Sequence, residues 1–181
     1  MRADALRNRE RILEAAEEVF AGAGPGASTE EVARRAGVAI GTVFRHFPTK
    51  ADLLRALMKR LLQQVTDDAA ELVANGDPAV ALFEFFARLV ERTAANRAVV
   101  SLLAAEGMEV PITGPLGSLS DAVGELLERG QESGAIAAGV RLDEVMALLV
   151  GACQGALHGG WDADLRRRTL GIMFAGLRTP A

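Results

Sequence analysis

An all-α fold is predicted by three observations. Apolar residues recur with a period near 3.6 along most of the 181 residues. Ala, Leu, Val and Gly dominate while only 4% of residues are aromatic and none is Tyr, a balance that favours helices over sheets. No alternating strand pattern, internal repeat or low-complexity segment is found.

The bulk properties narrow the class. Half of the chain is apolar, enough for a sizeable core, and a net charge of only -4 opposes disorder. The single cysteine, Cys153, excludes an intramolecular disulfide and fits a reducing compartment. The N-terminus has Arg and Asp and no apolar run before a cleavage site, so no secretion signal is expected. The most apolar stretch, residues 145–157, is too short to span a bilayer and contains Gln154. The expectation is a soluble, cytoplasmic protein that does not enter a membrane. Charge is uneven but only weakly so. Residues 1–50 carry eight basic and seven acidic side chains, residues 51–181 twelve and seventeen. Any claim of nucleic-acid binding must therefore rest on local placement.

The first helix follows from Leu6, Ile12, Leu13, Ala16, Val19 and Phe20 on one face, and it stops in the run Gly22-Ala-Gly-Pro-Gly26. That Gly-rich run follows a helix and not a strand, and no Lys-Ser/Thr pair comes after it, so it reads as a connector and not as a phosphate loop. Ser28-Thr-Glu-Glu31 has the spacing of a capping box and starts a short helix, Thr29 to Ala36, which Gly37 ends. A tight turn at Val38 and Ala39 leads into a second short helix over 40–47, broken by Pro48. Thr49 caps a long fourth helix from Lys50 to about Ala74. A fifth carries Ala81, Leu82, Phe85, Phe86, Leu89 and Val90 on one face, and a sixth spans roughly 96–105. Residues 107–115, with two prolines, read as a loop. Helices over 119–133, 142–158 and 162–177 complete nine.

Two short helices joined by a tight Gly-containing turn form a helix-turn-helix, at about residues 28–47. The first braces against a core and the second offers its outer face to a major groove, which admits one α-helix. Val43 and Phe47 are four apart and belong to the inner face, which leaves Thr42, Arg45 and His46 outward. Arg can donate two hydrogen bonds to guanine, Thr can touch a thymine methyl or a phosphate, and His can donate to either. Lys50, at the start of the next helix, and Thr29, at the start of the brace, are placed for phosphates, and Arg2 and Arg7 for the backbone or a minor groove. Phe44 and Phe47 read as core rings covered by an adjacent helix.

The run Ser28-Thr-Glu-Glu-Val-Ala-Arg-Arg-Ala-Gly-Val38, then Gly41-Thr-Val-Phe-Arg-His-Phe-Pro-Thr-Lys50 and Leu53-Leu54, resembles the tetracycline-repressor (TetR/AcrR) family. The resemblance covers roughly residues 8–54, and its Phe-Pro-Thr-Lys exit separates it from other helix-turn-helix classes. It implies a homodimeric repressor with a three-helix DNA-binding head (residues 1–49) and a six-helix ligand-binding and dimerisation body (residues 50–181). The helices at 142–158 and 162–177 would make the dimer's four-helix bundle. Carried over by position, the implied DNA-contacting set is Thr29, Gly41, Thr42, Phe44, Arg45, His46 and Lys50. Phe44 departs from the family pattern, which commonly has Tyr there. The ring packing is kept, but the hydroxyl-to-phosphate bond is lost, at about 1 kcal/mol per subunit.

In the body, Phe83, Phe86, Met108, Met146, Gln154 and His158 are the candidate pocket residues, although Met and Phe at helical spacing most often signify packing. Gln154 and His158, four apart on an apolar helix, fit two polar fixed points in a pocket and equally fit a dimer interface or its edge. Gly151, Ala152, Gly155 and Ala156 keep that helix slim, for a partner helix or for close packing within the subunit. The run Arg166-Arg-Arg168 reads as a solvated face.

The leading expectation is thus a repressor that binds a palindromic double-stranded operator and is released by an unknown apolar or amphipathic ligand. Its two recognition helices would lie about one DNA turn, roughly 34–36 Å, apart. A DNA-binding scaffold whose body binds a protein partner is the alternative. An all-α enzyme is disfavoured, since two His, one Cys and no His-Glu-x-x-His run supply no nucleophile, base and orienting group. No metal or cofactor is expected.

Overall fold

The computed structural model describes residues 2–23, 26–105 and 113–179, with the backbone alone at 2–3 and 113–118. Nine helices occur among the described residues: α1 Arg2–Ala23, α2 Thr29–Ala36, α3 Ile40–His46, α4 Lys50–Asn75, α5 Ala81–Ala95, α6 Arg97–Ala105, α7 Thr113–Glu132, α8 Leu142–His158 and α9 Ala163–Leu177. The only β feature among them is an isolated bridge between Ile136 and Arg178. Backbone contacts divide the chain into two compact units, Met1–Leu61 with Ala95–Pro111, and Leu62–Ala94 with Ile112–Ala181. This division falls inside α4 and not at residue 49, because Leu53, Leu54 and Leu57 at the start of α4 are fully buried and supply part of the first unit's core.

In the first unit α1 packs on α2, α3 and α6. Ile12, Leu13, Ala16 and Phe20 of α1, Val32 of α2 and Val43 of α3 are buried to within 1%. Each large side chain contributes about 1.5–3 kcal/mol relative to exposure. The predicted cap of α2 is present in half. Ser28 Oγ accepts the Glu31 N–H at 3.1 Å, but the Glu31 carboxylate turns to Arg34 and does not close the box. Gly37 ends α2 at φ 64°, in the left-handed region, and Arg11 Nη2 donates to the Ala36 carbonyl at 2.6 Å. The positive φ makes glycine the fitting residue at this turn, and a Cβ on Gly37 would also stand 3.0 Å from that guanidinium. At the head of α4, Thr49 and Asp52 cap each other: the Thr49 N–H and hydroxyl donate to the carboxylate and Thr49 Oγ1 accepts the Asp52 N–H. The Thr49 hydroxyl, aided by Arg55, holds the Asp52 carboxyl below its usual range. Arg60, only 20% exposed, fastens α4 to α1 through Glu10 at 2.7 Å, Glu14 at 3.4 Å and Glu17 at 4.0 Å.

The second unit is built around α5. Leu82, Phe85 and Phe86 are buried with Val123 and Leu126 of α7 and Val145 and Leu149 of α8. Phe174 of α9 packs its ring against Phe83 and Phe86, at centroid distances of 4.8 and 5.8 Å. Gln131 Nε2 donates to the carbonyls of Ala137 and Val140 and so organises the connection from α7 to α8. Asp162 caps α9 by accepting the Leu165 N–H at 2.8 Å, so α9 begins at Ala163. No described helix is long and apolar enough to cross a membrane.

One boundary differs from the sequence-based expectation. α7 starts at Thr113 and not near Leu119, so the proline-containing stretch expected as a loop is partly helical. Pro115 lies in the first turn, where a helix has no partner for its N–H and loses nothing by lacking one. The remainder of that expected loop, Met108 included, lies outside the described residues.

Candidate nucleic-acid interface

The helix α3 is seven residues long and has one inner face. Val43 and Phe47 fill it, 0% and 3% exposed, and the Phe47 N–H closes the helix onto the Val43 carbonyl at 2.8 Å. The Arg9 guanidinium of α1 lies over the Phe47 ring, 5.3 Å from its centroid. On the other side Gly41, Phe44 and Arg45 are exposed, with Thr42 and His46 half-buried at the margins. The predicted outward residues Thr42, Arg45 and His46 therefore share one surface with Gly41 and Phe44, which the resemblance had also placed among the contacts.

Phe44 corrects an expectation. It was read as a core ring, yet it is 43% exposed. It stands about a quarter turn from the Val43–Phe47 face. So short a helix is covered on one side alone, and the neighbouring position is left uncovered.

Lys50 is placed differently from a free phosphate ligand. Its Nζ donates to the Ala27 carbonyl at 2.9 Å and lies 5.6 Å from the centre of the Phe20 ring. It thereby ties the start of α4 to the segment leading into α2. Lys50→Ala is expected to destabilise the chain by about 1–2 kcal/mol, from one charge-assisted hydrogen bond and a cation–π contact; thermal denaturation reads this. Thr29 is half-buried, and its hydroxyl faces the Glu30 carboxylate at 3.4 Å. Arg7 is exposed and pairs with Asp4 at 2.5 Å, while the side chain of Arg2 lies outside the described residues.

In the second unit the described members of the predicted pocket set are not brought together. Phe83 and Phe86 are core rings closed against Phe174, and Met146 is half-buried against that core. Gln154 and His158 are exposed, on the same stripe of α8 as Val150 and Gly151, so they point away from the unit's interior. The inner face of α8 is taken by Val145, Leu149, Ala152 and Ala156. At Gly155 the small residue serves packing within the subunit, the second of the two readings. The chain's own Trp161 fills that space, and a Cβ on Gly155 would stand 2.4 Å from the indole. Gly151 remains open, with nothing within 4 Å of a built Cβ.

A groove of about 380 Å³ lies elsewhere, between α5 and α9. Val90, Leu170 and Phe174 floor it, with Glu91, Arg166 and Arg167 among its lining residues. The sequence signal was the arginine run, read as a solvated face. Arg167 and Arg168 fit that reading, both exposed beside Asp164, but Arg166 is half-buried and donates to the Trp161 carbonyl at 2.7 Å. Cys153 is half-buried against the core, with the Thr93 hydroxyl 3.7 Å away, and burial pushes its thiol up. Among the described residues no group of three His, Cys, Asp or Glu side chains could hold a metal ion.

A braced first helix, a left-handed glycine turn and a short second helix with a polar outer face define the helix-turn-helix class. Comparison with known proteins gives the family. Residues 12–57 match the model for bacterial regulatory proteins of the tetR family, and residues 77–179 match the C-terminal domain of SbtR-like transcriptional regulators. The chain belongs to the TetR family of transcriptional regulators. Among solved structures, it is similar to a TetR regulatory protein from Mycobacterium vanbaalenii, at 36% identity over 98% of this chain and 99% of that one, TM-score 0.81. It is also similar to the regulator SCO0520 of Streptomyces coelicolor, at 28% identity over 96% and 99%, TM-score 0.76. Among curated proteins, 57 residues are 44% identical to an uncharacterized HTH-type transcriptional regulator, TtgW, of Pseudomonas putida, covering 31% of this chain and 42% of that protein. A 76-residue match at 37% identity is to the HTH-type regulator SAB2452 of Staphylococcus aureus, covering 38% and 41%. The chain thus spans about two fifths of the length of the curated relatives it matches.

Proposed function

We propose that the chain is a homodimeric repressor that binds a palindromic DNA operator through α3 and is released by a small apolar or amphipathic ligand. The observation that carries the DNA reading is the outer face of α3. Gly41, Phe44 and Arg45 are exposed there while Val43 and Phe47 anchor the helix from behind. On this reading Arg45 reads a base edge, Thr42 and His46 contact bases or phosphates, and Thr29 lies toward the backbone. Two of the three ammonium donors of Lys50 remain beyond its bond to Ala27, and they are assigned to a phosphate.

Dimerisation is assigned to the outer faces of α8 and α9. Val150, Leu165 and Ile172 are 53%, 46% and 77% exposed on these two helices, more apolar exposure than a lone unit tolerates well. Gln154 and His158 then belong to that interface and not to a pocket. The groove between α5 and α9 has the volume of a small-ligand site and is the better candidate for the effector. Ligand release requires the effector to favour one of two states of the dimer.

Selection of bound duplexes from a random pool tests the reading, with the expected product a palindrome of two half-sites. No enrichment over the input pool would sink it. On the selected operator, Lys50→Ala is expected to weaken all sequences alike and to lower the slope of log affinity against log salt by about 1. An unchanged slope confines Lys50 to its bond with Ala27.

A further inference from the structure

The groove between α5 and α9 has a direction. Phe174 packs on Phe83 and Phe86 in the first turns of α5, while Val90 and Glu91 near its end line the groove with Arg166 and Arg167 near the start of α9. The two helices therefore run antiparallel along it. Its charged side chains gather at one end, and Leu170 and Phe174 continue it with apolar surface one and two turns further on. From Arg166 to Phe174 the path along α9 is about 12 Å, at ~1.5 Å per residue. The space of about 380 Å³ accepts roughly a dozen groups the size of a water molecule, at ~30 Å³ each. Its form suits a small molecule with one polar head and a short apolar tail.

The charges decide what the head is. Arg167 is exposed and already paired with Asp164, so the two cancel. Glu91 is exposed and keeps its water. Arg166 differs from both. It is half-buried, its Nη1 donates to the Trp161 carbonyl at 2.7 Å, and it makes no ion pair among the described residues. That bond holds the guanidinium in place and leaves the rest of its planar fork of donors, the geometry that matches a carboxylate. A cation partly withdrawn from water gains more from an anion than an exposed one does.

Resting on the assignment of the effector to this groove, we infer that the ligand is an amphipathic monocarboxylate, its head on Arg166 and its tail along Val90, Leu170 and Phe174. Glu91, at the same end as the head, disfavours a second negative charge and so restricts the class to monoanions. The site stays open in the proposed dimer. Ile172 and Leu165, the apolar residues assigned to the dimer face, stand about 160° around α9 from Phe174 and Ala163 of the groove.

The test is titration calorimetry on the full chain with octanoate, octanamide and octylammonium, which share a tail and differ in the head. Octanoate is expected to bind about tenfold more tightly than octanamide, the difference between a charge-assisted and a neutral contact, and octylammonium to bind more weakly still. Arg166→Gln should bring octanoate down to the level of octanamide. Its octanamide affinity should stay within about twofold, which also shows that the variant is folded. Gly171→Leu puts a side chain into the groove, where a Cβ meets nothing within 4 Å. It should abolish binding of all three without lowering the melting temperature, since leucine favours a helix over glycine. Octanoate that binds no better than octanamide, or that binds Arg166→Gln with full affinity, overturns the inference and leaves the groove to a neutral ligand. Absence of binding by all three, or binding unaltered in Gly171→Leu, overturns the groove as the effector site and the inference with it. Octanoate that binds with the expected head preference yet leaves affinity for the selected operator unchanged upholds the carboxylate site and overturns its part in release.

Discussion

Arg45→Ala is expected to lower operator affinity by roughly 10- to 100-fold and to erase base preference at one position in each half-site, the worth of one bidentate base contact. Most arginines of the head are already engaged: Arg34 with Glu31, Arg35 with Glu18, Arg55 with Asp52 and Arg60 with the α1 carboxylates. Arg45 is exposed on the outer face of α3 and has no such partner among the described residues. Its guanidinium keeps its full fork of donors for a base edge, and its removal takes no support from the fold. The variant's thermal stability should therefore match the wild type. Selection from a random pool reads the base preference, and a product identical to that of the wild type would falsify the assignment.

On the proposed homodimer, Ile172→Asp is expected to give a monomer and to reduce operator affinity by about 10²- to 10⁴-fold, the gain that two linked half-sites give over one. Ile172 is 77% exposed on α9 and adds nothing to the core of its own unit. In a two-fold dimer the same patch meets itself, so one substitution places two carboxylates in the interface. Each would be desolvated without a cation, which costs several kcal/mol. Sedimentation at micromolar concentration decides. A variant that remains dimeric there would move the interface away from this face of α9, whatever its affinity for DNA.

The helices whose ends are set by local chemistry were legible in the sequence. α2 runs from the Ser28 cap to the Gly37 stop as read, and α8 covers the expected residues. Thr49 caps α4 as read, and its reciprocal partner Asp52 was supplied by the structure. The start of α7 was misplaced because a proline reads as a breaker, and only its position within the first turn makes it harmless. The inner and outer faces of α3 were legible at Val43, Arg45 and Phe47, but Phe44 was not. Whether a ring beside the core face is covered depends on which helix lies next to it, and periodicity carries no such information.

The body shows the same limit more strongly. Gln154 and His158 were open to two readings on sequence; burial of Val145, Leu149, Ala152 and Ala156 fixes which side of α8 faces inward and leaves both side chains exposed. Gly155 fitted a partner helix or close packing within the subunit, and Trp161, six residues on, fills its space from the same chain. Of the candidate pocket residues, Phe83 and Phe86 are core, because large apolar groups close on one another wherever they can. Space remained instead between α5 and α9, beside charges that had been read as solvated.

By itself the sequence determined the all-α fold and the helix-turn-helix, since caps, breakers and a 3.6-residue period act between residues a few positions apart, and the motif at residues 28–54 carried the resemblance to the family. Tertiary structure alone decided that Phe44 is exposed beside an unobstructed Gly41, that Lys50 is tied to Ala27, and that Gln154 and His158 face outward. Each of these depends on what covers a residue. The covering atoms come from segments brought together by packing, up to 23 positions away for Lys50 and Ala27, where no local pattern reaches.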